Sequence, residues 1–208
     1  MNELQTLIAE YLKFVFQSDP IQATRLGIHT YNHLLGDLNP DVVADEATKR
    51  QDFLRQFGDI DPTVLDPQAL MDLQVAIIDG ETSLRRHEDL RIWERAPYWY
   101  LERLGGAFSD LMTRTFAPVE ERMRQLLSRL EQAPEYLSTA KNNLTDQAPP
   151  LYVDMGLTAV KGLQQFLDEA VPGFASESIK ALETDVLRAA TKMQTELDET
   201  HKLFKQFV

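Results

Sequence analysis

Apolar residues recur at intervals of three and four along most of the chain, which is the spacing of one face of an α-helix. The clearest case is residues 119–144, where the pattern breaks at Pro134 and then resumes. Its apolar positions are Val119, Met123, Leu126, Leu127, Leu130, Leu137, Ala140 and Leu144. The pattern predicts two short helices that meet at a corner at Pro134 and bury their apolar face against other helices.

Helix starts are marked by one local chemistry, in which Asp or Asn is followed directly by proline. The pairs begin at Asp19, Asn39, Asp61 and Asp66. An Asx side chain caps the free N–H groups of a first turn, and proline at the first helical position loses no hydrogen bond. These pairs favour an all-helical fold, with a first helix that ends near residue 18 and a short second helix that runs to about residue 27.

The remaining helices are predicted from the same periodicity. They span residues 40–57, 67–91, 95–116, 152–171 and 179–207, and the last of them is expected to be the longest. Arg50 interrupts the apolar stripe of 40–57, and Gly80 inside 67–91 indicates close helix packing. No segment alternates as a strand does. We therefore predict an all-α, multi-helix bundle of roughly eight helices in a single helical domain, 1–208, with a candidate hinge at 145–150.

The apolar stripe of the last helix continues to Phe207. A stripe that reaches the end of the chain predicts an exposed seam, and exposed apolar surface of this kind marks an interface or a truncation. The expected partners of that seam are the C-terminal half of a longer protein or a second copy of the chain.

Charge and cysteine content limit the classes of binding partner and the cellular compartment that we expect. The chain has 208 residues, of which 43% are apolar, 33 are acidic and 21 are basic, giving a formal net charge of −12. Such a charge disfavours nucleic acid and anionic lipid as partners. Cysteine is absent, which fits a reducing cytoplasm. The N-terminal segment has the pattern of a mature helix and not of a signal peptide, and no run of 18 apolar residues predicts a membrane span.

Histidine and carboxylate spacings suggest two metal sites, and the residues argue against both. His87 and Glu88 begin like the zinc-binding sequence His-Glu-x-x-His, but Arg91 occupies the position of the second histidine, and a guanidinium does not ligate zinc. His29 and His33 have helical spacing, but the glycines around them favour a turn. We predict no catalytic residue, cofactor or metal ligand in this chain.

One segment combines arginines with aromatic residues. The arginines are Arg85, Arg86, Arg91, Arg95 and Arg103, and the aromatic residues are Trp93, Tyr98, Trp99 and Tyr100. Acidic neighbours nearly cancel this charge, so helix-surface ion pairs over buried aromatics are the favoured interpretation. The alternative is that the segment lines a peptide groove.

Three stretches, DPIQATRLGIHTYNHLLGDLNP, LDPQALMDLQVAI and RMRQLLSRLEQAPEYLSTAKNNL, resemble in their order the N-terminal half of the bacterial family called domain of unknown function 885. The resemblance covers most of residues 19–170. It implies an all-helical zinc-metallopeptidase-like protein whose zinc helix lies in a C-terminal half without a counterpart here. His29 and Tyr31 match an early pattern of the family, whereas Asn32 replaces an expected aspartate.

Two functional hypotheses remain, the first implied by this resemblance and the second drawn from the acidic surface and the aromatic segment around Trp99. In the first, the chain is the N-terminal wall of the substrate channel of a metallopeptidase-like hydrolase, inactive by itself, with zinc only in the missing C-terminal part and a peptide as substrate. In the second, it is a self-sufficient helical protein-interaction module without enzymatic activity. The candidate substrate or partner contacts are His29, Tyr31, Tyr98 and Trp99.

Overall fold

The computed structural model describes residues 3–145 and 148–207, and all regular structure in that part of the chain is helical. The α-helices are α1 (Glu3–Ser18), α2 (Pro20–Arg25), α3 (Pro40–Gly58), α4 (Pro67–Glu88), α5 (Ile92–Arg95), α6 (Pro97–Thr113), α7 (Val119–Asn143), α8 (Pro150–Ala175) and α9 (Lys180–Phe204). Short 3-10 helices span His29–Tyr31 and Pro62–Val64. The predicted all-α fold of roughly eight helices is confirmed.

The helices form two packed groups with separate apolar cores. Helices α6, α7, α8 and α9, which we call the four-helix bundle, enclose the larger core, and α2 packs on α6. Its fully buried members include Leu104, Phe108, Leu111, Met123, Leu126, Leu130, Val160, Val186, Met193 and Leu197. Burying such side chains is the main source of stability in a helical fold of this size.

Helices α1, α3 and α4 form the second group, which we call the three-helix layer. Its smaller core is aromatic, with Tyr11 at its centre. The Tyr11 ring lies 5.3 Å from the ring of Phe53 and 5.4 Å from that of Phe57, both in edge-to-face geometry. Such edge-to-face pairs are favourable beyond the area that they bury.

Three of the four predicted Asx-Pro starts have the expected side-chain cap. Asp19 accepts a hydrogen bond from the Gln22 N–H, Asp61 from the Thr63 N–H and Asp66 from the Ala69 N–H. Asn39 differs because its amide donates to Asp37 at 2.7 Å, so the start of α3 has no side-chain cap.

Two predicted helix breaks at proline are wrong. Pro134 lies inside the continuous helix α7, and Pro172 lies inside α8. A proline removes one intrahelical hydrogen bond, at a cost of about 3 kcal/mol in a helix interior. Around Pro134 that cost is offset by burial, since Ala133 and Leu137 are almost fully buried. Helix α8 is therefore the longest, with 26 residues against 25 in α9.

The apolar seam of α9 is buried inside the chain and is not exposed as predicted. Leu182, Val186, Met193, Leu197 and Phe204 are each at most 8% exposed. The reason is that α9 packs against both α7 and α8. The seam from Leu182 to Phe204 is therefore covered within the chain, whereas Ile179 at its start is 55% exposed. Pairing of the last helix with a second copy or with a C-terminal half stays a prediction.

Helix α4 ends at Glu88, three residues before the predicted end. Arg91 has a left-handed backbone with φ of 47°, so the sequence from His87 to Arg91 does not continue as a helix. Gly80 permits close packing, as predicted, because an added Cβ would lie 2.8 Å from Leu54 Cδ2.

The candidate hinge at 145–150 includes Asp146 and Gln147, which lie outside the described residues. The prediction of one domain over 1–208 likewise stays a prediction. Within residues 3–145 and 148–207, no helix is both long and apolar enough to cross a membrane.

Candidate functional site

A cleft lies between the three-helix layer and helices α2 and α6. It consists of two neighbouring cavities of about 500 Å³ and about 230 Å³. They share six lining residues, Asp19, Arg50, Ser83, Arg86, Trp99 and Arg103. We call this space the arginine cleft, and its size is that of small-ligand sites in proteins.

Arg103 on α6 lines the cleft, and its guanidinium nitrogens all have hydrogen-bond acceptors. Its Nη1 and Nη2 donate to the two carboxylate oxygens of Asp19, both at 2.9 Å, and its Nε donates to the Tyr136 hydroxyl at 3.3 Å. The guanidinium also lies 4.8 Å from the Trp99 ring centre, a cation–π distance. All three of its nitrogens therefore have a partner within the chain.

The Asp19 carboxyl reflects this pairing. Burial alone would raise its pKa, but the charge and hydrogen bonds of Arg103, helped by the Gln22 N–H, outweigh burial and hold the pKa of Asp19 below its usual value. Asp19 therefore stays ionised, caps α2 and fixes α2 to α6 at once.

Arg50 on α3 makes fewer hydrogen bonds than Arg103, although its side chain is only 13% exposed and solvent is largely excluded. Its Nη1 donates to the Tyr11 hydroxyl at 3.0 Å, and its guanidinium lies 5.2 Å from the Phe14 ring centre. Asp79 is 3.9 Å away, beyond hydrogen-bonding distance, and itself accepts from the Tyr11 hydroxyl at 2.6 Å. Among the described residues, Nε and Nη2 of Arg50 have no hydrogen-bond acceptor.

Two further donors around the cleft lack acceptors in the described part of the chain. Arg86 on α4 is exposed, lines both cavities and makes no hydrogen bond or ion pair there. The indole Nε1 of Trp93, which lines the smaller cavity, is buried without a partner. A buried N–H without an acceptor is costly, so such groups are uncommon in folded proteins.

Two other cavities are less suited to a ligand. One of them, of about 800 Å³, lies beside α1 and is lined by Glu3, Glu10, Asp59 and Asp61 together with other polar and apolar residues. Another, about 360 Å³, lies between the loop after α2 and α7, where Gln132 already bonds the backbone of Leu35 and His33. Neither presents a buried cation with free donors, as the arginine cleft does.

The structure separates the four predicted contact residues. Trp99 lies in the arginine cleft, whereas Tyr98 packs edge-to-face on Tyr152 of α8 at 5.2 Å. His29 stacks on Phe116 at 3.9 Å, and its 3-10 helix also contains Tyr31. His29, Tyr31 and Tyr98 do not line the arginine cleft.

The sequence analysis does not single out Arg50 as a site residue. Arg86 and Arg103 belong to the segment for which surface ion pairs are the favoured interpretation and a peptide groove is the alternative. One signal was available for Arg50, because it interrupts the apolar stripe of α3 and must therefore lie near the core. The partnership of Arg103 with Asp19 joins residues 84 positions apart, which no local pattern indicates.

Among the described residues, no group of three or more His, Asp or Glu side chains is arranged to hold a metal ion. His87 stacks on Trp93 at 5.6 Å, and burial lowers its pKa. The two cavities are lined by four arginines and four acidic residues, so the cleft is distinguished by hydrogen-bond donors without an acceptor in the described part of the chain and not by an excess of positive charge.

These features define an all-helical protein with a donor-rich interhelical cleft. Residues 20–208 match the family described as bacterial protein of unknown function (DUF885), and the chain belongs to that family. No curated protein sequence matches the chain.

A solved structure from Shewanella oneidensis, described as that of a candidate lipoprotein of unknown function, has a similar fold. Its TM-score is 0.88 at 16% sequence identity, which shows similarity of fold alone. The match covers 100% of this chain and 38% of that one. The chain thus spans 38% of the length of the structure that it resembles.

Proposed function

We propose that the chain is the N-terminal helical region of a larger zinc-metallopeptidase-like hydrolase and forms one wall of its substrate channel. The observation that carries this proposal is the match of the whole chain to 38% of a longer structure. In this reading, the two helical groups are a scaffold that positions a substrate, and the reacting groups belong to the remainder of the protein.

The proposal assigns zinc to that remainder. In this sequence Arg91 stands where a zinc-binding helix would need its second histidine, and its left-handed backbone follows the end of α4. A guanidinium has no lone pair available for a metal. Peptide binding, but not peptide hydrolysis, is the expected property of this chain alone.

An exposed apolar row on α4 supports the proposal that the remainder of the protein docks on this helix. Met71, Val75 and Ile78 are 59%, 62% and 61% exposed and follow each other at intervals of four and three residues. That spacing places them on one face of the helix. A remainder longer than this chain, as in the similar structure, would supply the covering surface.

The experiment that tests this proposal is the mass of the native protein in its source cell, with peptide sequencing of any part beyond Val208. A product more than twice 23.8 kDa that contains a His-Glu-x-x-His helix is the expected result. One equivalent of zinc retained by the 208 residues through dialysis, with peptide cleavage by them alone, would overturn it.

A self-sufficient interaction module is the second candidate, favoured by the same row on α4. As a module, the chain would use Met71, Val75 and Ile78 to bind a separate protein. It predicts a native product that ends at Val208 and co-purifies with one partner. The cytoplasmic location, and the absence of nucleic-acid and membrane partners, stay predictions.

A further inference from the structure

The unsatisfied groups near the arginine cleft are predominantly hydrogen-bond donors. They are Nε and Nη2 of Arg50, the guanidinium of Arg86 and the indole N–H of Trp93, and all three residues line the smaller cavity. Because donors require acceptors, the complementary ligand group is one that only accepts hydrogen bonds. An ionised carboxylate is such a group, and it pairs with guanidinium in bidentate geometry.

Among residues 3–145 and 148–207, the carboxylates near Arg50 make no hydrogen bond to it, although Asp79 and Glu46 lie close enough to feel its charge. Asp19 is bonded to both terminal nitrogens of Arg103, and Asp79 accepts from the Tyr11 hydroxyl. Glu46 lines the smaller cavity, where burial raises its pKa even though the charge of Arg50 acts in the opposite direction. Glu102 lines the larger cavity, where it is exposed to solvent.

Apolar surface lies beside these donors. Trp99 lines both cavities, and Ile92, Val43 and Leu38 line the smaller one. The combined space of about 500 Å³ and about 230 Å³ admits a ligand the size of a dipeptide. The cleft therefore offers a charged end and an apolar wall at once.

We propose that the arginine cleft binds the free carboxylate of a short peptide between Arg50 and Arg86, with an apolar peptide side chain against Trp99. The inference rests on the proposed function in naming a peptide as the ligand. Arg103 is a positioning residue in this site, because its donors are already engaged and it holds Trp99 in place through the cation–π contact.

The two tryptophans of the chain make the test direct, since Trp93 and Trp99 both line the cleft. The probe is N-acetyl-phenylalanyl-alanine, titrated against the 208-residue protein while tryptophan fluorescence is recorded. Its C-terminal amide is the matched ligand without the charge. We expect a saturable change with the acid and affinity for the amide lower by about tenfold, the size expected for a charge-assisted hydrogen bond.

Arg86→Gln is the diagnostic variant, because Arg86 is exposed and its removal leaves both cores intact. It should weaken binding of the acid by about tenfold and leave binding of the amide unchanged. Arg85→Gln is the control, since it removes the same charge from the neighbouring exposed position, which does not line the cleft. Arg50→Gln, with helical circular dichroism unchanged, should weaken the acid at least as much as Arg86→Gln.

Equal binding of acid and amide, no saturable signal with either, or equal losses in Arg85→Gln and Arg86→Gln would each overturn the inference. Inorganic phosphate that binds as tightly as the peptide acid would overturn the assignment to a peptide. The titration requires neither zinc nor catalysis. Its failure is therefore distinguishable from failure of the proposed function, which native mass and zinc content decide.

Discussion

Arg129 in the four-helix bundle and Arg50 in the three-helix layer are both largely removed from solvent, but they are satisfied to different degrees. Arg129 donates from all three nitrogens, to the carbonyls of Leu34 and Ala107, to the carbonyl of Pro20 and to the Thr24 hydroxyl. Arg50 donates from one nitrogen, to Tyr11. Arg129 thus uses all its nitrogens to hold neighbouring segments together, whereas Arg50, which lines the arginine cleft, has two nitrogens without an acceptor among the described residues.

The apolar surfaces of the two groups differ in the same direction. In the four-helix bundle the stripe of α9 is covered by α7 and α8. In the three-helix layer α4 leaves Met71, Val75 and Ile78 exposed. The bundle is not free of exposed apolar side chains, since Leu151 and Met155 of α8 are 66% and 37% exposed. The contrast is therefore between the covered stripe of α9 and the uncovered three-residue row of α4.

The largest expected loss of stability comes from replacing Arg129, the arginine whose nitrogens all have hydrogen-bond acceptors. Arg129→Met should lower the free energy of unfolding by about 3–5 kcal/mol, because it leaves the carbonyls of Leu34 and Ala107 buried without a donor. Arg50→Met should lower it by only about 1 kcal/mol, the value of one hydrogen bond. Urea unfolding followed by circular dichroism measures both. Similar losses for the two variants would remove the contrast between the helical groups.

Asp19→Asn addresses the ion pair between α2 and α6. The amide retains the cap of α2 but loses the charge opposite Arg103, so we expect a loss of about 1–2 kcal/mol at pH 7, reduced by the partial exposure of the pair. The pKa of Asp19 is lowered on folding, so the ionised carboxylate adds to the free energy of unfolding. This stabilisation is fully present above the pKa of the unfolded chain, about 3.9, and is lost as the pH falls through the pKa of the folded protein. Unfolding measured at pH 7 and at progressively lower pH below 4 should show the two proteins converging. A constant difference at all pH values would contradict the assignment.

Gly36→Ala tests the loop that joins the bundle side to the layer. Gly36 has φ of 88°, and an added Cβ would lie 3.2 Å from both Ser18 O and Pro20 Cδ, so a loss of about 1 kcal/mol or more is expected. Gly105→Ala is the control with opposite sign. It lies inside α6 with open space around it, and alanine there should raise stability by about 0.5–1 kcal/mol. Melting temperatures of the two variants should move in opposite directions, and a common shift would count against the strain at Gly36.

The smallest expected effect lies on the exposed row of α4. Val75→Ala should change the free energy of unfolding of the chain by less than about 0.5 kcal/mol. Leu73→Ala, on the buried face of the same helix at 4% exposure, should cost about 2–3 kcal/mol. Thermal unfolding of both variants sharpens the distinction between the two faces, and a costly Val75→Ala would show that the row is already covered.

The fold was largely predictable because helical periodicity and Asx-Pro starts are local signals. Boundaries at Asp19, Asp61 and Asp66 follow from their caps. The corner at Pro134 failed because local propensity was overridden by burial on both sides of the proline.

The candidate site was much less predictable. Only Trp99 among the predicted contacts lies in the arginine cleft, since the cleft is made by residues from α1 to α6 that meet through tertiary packing. Whether an arginine is satisfied depends on distances such as the 3.9 Å between Arg50 and Asp79, which sequence spacing does not encode.

Side chains of helix α7 hold the loop after α2 through hydrogen bonds to its backbone carbonyls. Ser128 and Gln132 donate to the carbonyl of His33, Arg129 to that of Leu34 and Asn143 to that of Leu38. Each contact ends on backbone oxygen, which every amino acid supplies. Across the family, these hydrogen bonds place no demand on the side chains at His33 and Leu34, whereas Leu38 is also held by its packing against the core. Evolutionary constraint from the hydrogen bonds should fall on the four α7 positions that hold the loop.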